Sequence, residues 1–90
     1  MSGSRVTTHP LDTRIYAGPA GRRCRLEAGI VTGPWVEPMW SVALLGENGR
    51  SPIAGVPAIE HLGTREQARA SYRQRLAALK AAGWRRLGQE

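Results

Sequence analysis

Apolar and polar positions alternate through the middle of the chain and shift to helical spacing in its last third. From Arg22 onward, Cys24, Leu26, Ala28 and Ile30 fall on one face, with Arg23, Arg25 and Glu27 on the other. Period two over this length predicts a half-buried strand. Thr32-Gly33-Pro34 reads as a turn. A second strand is expected over 35–45, with Trp40, Val42 and Leu44 on one face and Met39, Ala43 and Leu45 on the other beside Ser41. A strand apolar on both sides suits a central position, and Glu37-Pro38 marks an irregular or edge start because Pro donates no ladder bond. Asn48-Gly49 between apolar runs is a hairpin signal. A third strand is expected over 53–60, interrupted by Gly55 and Pro57 and therefore an edge strand or a bulge. Upstream, Arg14-Ile15-Tyr16-Ala17 is a short strand candidate ended by Gly18-Pro19, and Gly18-Pro19-Ala20-Gly21 reads as a turn.

The helix carries the clearest punctuation. Thr64-Arg65-Glu66-Gln67 has the capping-box form, with Thr at the N-cap and Gln at N3. Good helix formers follow to Ala82, and Ala68, Tyr72, Leu76 and Leu79 make an apolar stripe. Gly83 suits the left-handed C′ position and Trp84 the C″ position, where an apolar side chain packs back on Leu79. The pattern predicts a helix over 65–82. The expected fold is α+β in two layers: a three-stranded antiparallel β-meander with one long C-terminal helix on one face (β-β-β-α). Residues 1–12 are polar and read as a flexible N-terminal arm, leaving 13–90 as a single small domain.

Charge changes this picture by its placement. The net charge is +6, from 13 basic and 7 acidic residues. Residues 1–61 hold six Arg against five acids, whereas 62–90 hold seven basic residues against Glu66 and Glu90. The excess therefore sits in the helix and tail. Only Lys80 among the basic residues is Lys, a skew that codon bias in a GC-rich bacterial or phage genome also produces. Such a balance points to a polyanionic partner, either nucleic acid or an acidic protein surface.

Arg65, Arg69 and Arg73 at i, i+4 and i+8 form one ridge, with Arg85 and Arg86 just beyond the helix. Successive charges about 6 Å apart along the axis match the scale of phosphate spacing on a strand. Arg contacts to phosphate are sequence-independent; a solvated helix face is the alternative. Arg23 and Arg25 make a second candidate patch on the face opposite Cys24, where Glu27 weakens the field. Trp35 and Met39 are candidate interface residues, although a chain with no Phe also needs Trp for core volume.

Conventional chemistry is thinly represented. The single Cys24 cannot form an intramolecular disulfide, and with His9 and His61 it has no zinc-ligand spacing. No catalytic constellation, cofactor or metal site is expected. There is no apolar run long enough to span a membrane and no secretory h-region, so the expectation is a cytoplasmic protein without a membrane partner.

Thr64-Arg65-Glu66-Gln67-Ala68 after a run of strands resembles the arm-type DNA-binding domain of tyrosine integrases, in which a three-stranded sheet enters the major groove and a helix backs it. Leu79-Lys80-Ala81-Ala82-Gly83-Trp84 resembles the helix end of WGR domains, which bind nucleic acid, although Trp40 is followed by Ser41 and the Trp-Gly-Arg triplet is absent. Both resemblances cover the helix segment only and imply no functional residue. The expected function is non-enzymatic nucleic-acid binding, DNA before RNA, through Arg65, Arg69, Arg73, Arg85 and Arg86. The alternative is a protein-interaction module, such as an accessory or inhibitory factor of a phage or mobile element. A homodimer closed through the second face of the middle strand fits both.

Overall fold

Strand alternation does produce a sheet with one covered face, but the sheet is larger than the apolar pattern foretells. The computed structural model describes residues 6–34 and 36–88. Its elements are β1 (Thr7–Ala17), a 3-10 turn (Pro19–Gly21), β2 (Arg23–Gly33), β3 (Val36–Gly46), β4 (Ile59–Leu62), α1 (Arg65–Ala81) and β5 (Arg85–Arg86). The strands form one antiparallel sheet in the order β4-β3-β2-β1-β5. Helix α1 lies on one face, so the α+β expectation holds while the three-stranded meander is corrected to five strands.

Two corrections account for the difference. Residues 7–12, read as part of a flexible arm, belong to β1, where Thr7 pairs with Thr32 and Asp12 with Ala28. Without β1 the ladder groups along one edge of β2 would stay unpaired. The strand escapes an apolar-pattern search because residues 7–13 are exposed on both faces. A register shift between Pro10 and Asp12 leaves Leu11 as an extra residue, consistent with a Pro that cannot donate.

The strand expected over 53–60 shrinks to β4. Asn48-Gly49 does turn the chain: the Gly49 amide donates to the Gly46 carbonyl at 3.0 Å, with φ +79° at Gly49. The following segment then folds inward as a loop. Gly55 adopts φ +81°, and Ile53 and Val56 pack against the core instead of extending along β3. The Leu44 amide still donates to the Ala58 carbonyl at 2.7 Å, where the ladder resumes.

Helix α1 ends as its punctuation predicts. The Gln67 amide donates to Thr64 Oγ1 at 3.1 Å, and the Thr64 amide donates to Gln67 Oε1 at 3.3 Å. At the other end the Trp84 amide donates to the Leu79 carbonyl and the Gly83 amide to the Lys80 carbonyl, which is the Schellman pattern, with Gly83 at φ +86°. Trp84 is buried with Leu79 in the core, beside Leu26, Val42 and Leu44. The ring sits so close to Gly18 that a Cβ there would lie 2.5 Å from it.

The stripe expected to face the core is only half right. Ala68 and Leu79 are buried and Tyr72 and Leu76 partly so, but Ser71 and Arg75 are buried with them. Arg75 is 1% exposed. Its Nη1 donates to Glu60 Oε1 at 3.0 Å and its Nη2 to the Pro57 carbonyl at 2.9 Å, and it also bonds Ser71 Oγ. The side chain thus ties α1 to β4 and to the end of the inward loop.

Candidate nucleic-acid interface

Antiparallel register decides which side chains meet beside the helix. Tyr16 is opposite Cys24, Arg14 opposite Leu26 and Asp12 opposite Ala28, so all three of these β1 side chains share the helix-bearing face. Arg86 of β5 is opposite Tyr16 and shares it too. On α1, four residues advance the helix by about 40° beyond one turn, so Arg65, Arg69 and Arg73 remain on one flank. That flank borders β1.

Between them runs a groove of about 310 Å³, whose basic residues are Arg14, Arg65, Arg69 and Arg73. Trp40, Tyr72, Ala28, Ala68 and Leu76 give it an apolar lining. Among the described residues Asp12 is its one carboxylate, and it is engaged. The Tyr72 hydroxyl donates to Asp12 Oδ2 at 2.5 Å, and Arg14 Nε lies 3.4 Å from the same oxygen. Burial, and after it this carboxylate, push the Tyr72 hydroxyl well above the ordinary tyrosine range, so it stays protonated as a donor. The Arg14 guanidinium sits over the Tyr72 ring, 5.5 Å from its centroid. Arg14 Nε is buried and, despite its closeness to Asp12, makes no hydrogen bond with good geometry among the described residues.

The remaining sequence candidates are dispersed. Arg85 pairs with Ala17, which in turn pairs with Arg23, and both Arg lie on the face away from the helix. Arg25 shares that face and is held 3.4 Å from Glu27, so part of its charge is already matched. Met39 is exposed there as well. Trp35 lies outside the described residues. Arg14, Trp40 and Tyr72 were not singled out as ligand contacts in the sequence. The usable signal was Arg14 alternating with Asp12 and Tyr16 in a strand, which puts a charge pair on the covered face.

The groove sets four guanidinium groups beside the Trp40 and Tyr72 rings. Cys24 is buried below the helix, and burial pushes its thiol up to about 11, against a smaller opposite pull from Arg22. His9 Nε2 is 3.0 Å from Thr32 Oγ1. Among the described residues no three His, Cys, Asp or Glu side chains converge to hold a metal ion, and no helix is long and apolar enough to cross a membrane. No family model matches this chain, and neither a curated protein nor a solved structure matches it.

Proposed function

We propose that this protein is a small nucleic-acid-binding domain that contacts phosphates through Arg65, Arg69 and Arg73, joined by Arg14. The observation that supports the reading is the groove itself: four Arg converge on it with a single carboxylate, and that carboxylate is occupied by Tyr72 and Arg14. Arg in such a setting binds phosphate oxygens through charge-assisted bonds without reading sequence. Arg86 flanks the approach on the helix-bearing face, and Arg85 and Arg23 offer weaker long-range attraction from the other face.

Fluorescence anisotropy with labelled oligonucleotides tests this. Four phosphate contacts give a log–log salt slope of about −3 to −3.6. Raising salt from 50 to 200 mM then weakens binding about 50- to 150-fold. Arg69→Ala removes one contact and lowers the slope by about 0.7 to 0.9. The absence of any salt-sensitive binding to single-stranded or duplex DNA or RNA at 50 mM refutes the proposal.

The uncovered sheet face favours a second reading, docking of a second copy of this chain. Ile15, Met39 and Ile59 are exposed there, and Ile59 is 52% exposed. The Arg25–Glu27 pair lies at the centre of the face on β2, the middle strand. A twofold axis there would set each Arg25 against the other copy's Glu27. Sedimentation equilibrium at two concentrations tests it: a single monomer mass at both excludes the dimer.

A further inference from the structure

The groove differs from a bare basic ridge in having an apolar, aromatic floor, and that distinguishes between forms of nucleic acid. This step rests on the nucleic-acid reading above. A duplex presents phosphates and sugars to a convex basic surface and keeps its π faces stacked inside, so it gains little by covering Trp40, Tyr72, Ala68 and Leu76. A single strand exposes base faces as well as phosphates, and a basic groove with aromatic side chains serves both.

Size points the same way. At about 310 Å³ the groove is at the lower end of the roughly 300–1,000 Å³ of small-ligand pockets, room for a base or two and far too little for a double helix. Its length is extended by a track of Arg. Arg65 to Arg73 spans about 12 Å of helix. Arg14 continues it beside Tyr72, and Arg86 lies one strand over from β1 and two residues farther along on the same face. That last step is about 7 Å along β1 and about 5 Å across. The charges thus run continuously from the helix N-terminus to the β5 edge, on the side where the floor is apolar. Arg14, whose Nε lies 3.4 Å from Asp12 Oδ2, sits in the middle of this track.

We infer that the ligand is a single-stranded polynucleotide, its backbone following Arg65, Arg69, Arg73, Arg14 and Arg86 and one or two bases entering the groove against Trp40 and Tyr72. Arg69 and Arg73 hold the strand by charge, and the aromatic floor adds the selectivity for unpaired bases.

The experiment measures anisotropy of the full chain with labelled oligo-dT, a hairpin duplex of equal phosphate count and an abasic strand of the same length, all at 50 mM salt. The expected result is oligo-dT tighter than either of the others by about tenfold or more, with quenching of tryptophan emission that Trp40→Phe diminishes. Arg73→Ala, at an exposed position, weakens oligo-dT and the abasic strand alike. Duplex binding equal to or tighter than oligo-dT overturns this inference and leaves the nucleic-acid reading standing. An abasic strand as tight as oligo-dT overturns the stacking role with wild-type protein alone, whatever the fold of the Trp40 variant. Failure of all three probes to bind at 50 mM overturns both readings.

Discussion

Arg75→Met removes the buried guanidinium while retaining an unbranched stem of similar reach, and so isolates the polar role of the side chain. In the folded protein Arg75 donates to Glu60 Oε1 at 3.0 Å and to the Pro57 carbonyl at 2.9 Å, and it also bonds Ser71 Oγ. Removing one member of a buried ion pair costs about 3–5 kcal/mol. The Glu60 side chain is 40% exposed and can regain water, and Ser71 still donates to it at 2.7 Å. The cost therefore falls at or just below the low end, about 2–3 kcal/mol. A chain of this length has roughly 5–13 kcal/mol in total, so the melting temperature drops by about 10–20 °C. Guanidinium unfolding followed by circular dichroism measures the difference. Glu60→Gln keeps an acceptor oxygen but leaves the buried Arg75 guanidinium without its counter-charge, so it costs about 3 kcal/mol, and it carries a pH signature. The Ser71 hydroxyl first, and Arg75 second, hold the Glu60 carboxyl below its ordinary 4.5. A lowered folded-state value stabilises fully above pH 4.5, and the gain disappears as pH falls through that value. The gap between wild type and Glu60→Gln therefore closes in acid. Arg75→Met within about 0.5 kcal/mol of wild type at pH 7 refutes the view that this side chain pins the inward loop to the helix.

Other outcomes follow from single contacts. Asp12→Asn removes the groove's only carboxylate, so oligonucleotide affinity rises severalfold in anisotropy while stability falls by about 0.5–1 kcal/mol from the loss of a half-exposed pair; unchanged affinity would place the ligand elsewhere. Gly18→Ala drives a Cβ to within 2.5 Å of the Trp84 ring and lowers stability by about 1–3 kcal/mol, read by thermal melts with a red shift of Trp emission. Ala20→Gly, two residues on, stabilises by up to about 1 kcal/mol because Ala20 is held at φ 59°. Cys24, raised from 9.0 to about 11, adds stability that is full below pH 9 and lost as pH rises through 11, and Cys24→Ala flattens that alkaline limb of the urea midpoint.

The elements that could be read from sequence are those with local causes. Thr64, Gln67 and Gly83 act through backbone groups within a few residues, so the helix ends matched to within one residue. β2 was legible because Cys24 and Leu26 both point under the helix. The first half of β1 was not, because its role is to complete a backbone ladder while its side chains stay in water. The inward loop was also hidden: Ile53 and Val56 are apolar enough for a strand, and it is Gly55 with its positive φ, together with Arg75 donating to the Pro57 carbonyl, that turns them inward.

The same distinction separates the four helical Arg, which a charge count treats alike. Each residue turns the helix by 100°, so Arg75 lies about 200° from Arg73 and the two point to opposite flanks. Arg73 faces β1 and the groove, while Arg75 faces β4 and the loop. Helical spacing alone would have split the set into three and one, but it could not say which flank meets a carboxylate. That depended on Glu60 sharing a face with Val42 and Leu62, a consequence of β4 pairing that no local pattern records. One Arg was consumed in holding the fold, and the other three were left beside a strand whose only acid, Asp12, is already taken by Tyr72 and Arg14. Among the described residues no further carboxylate lines the groove, and on the proposed reading the phosphates of a nucleic acid match that charge.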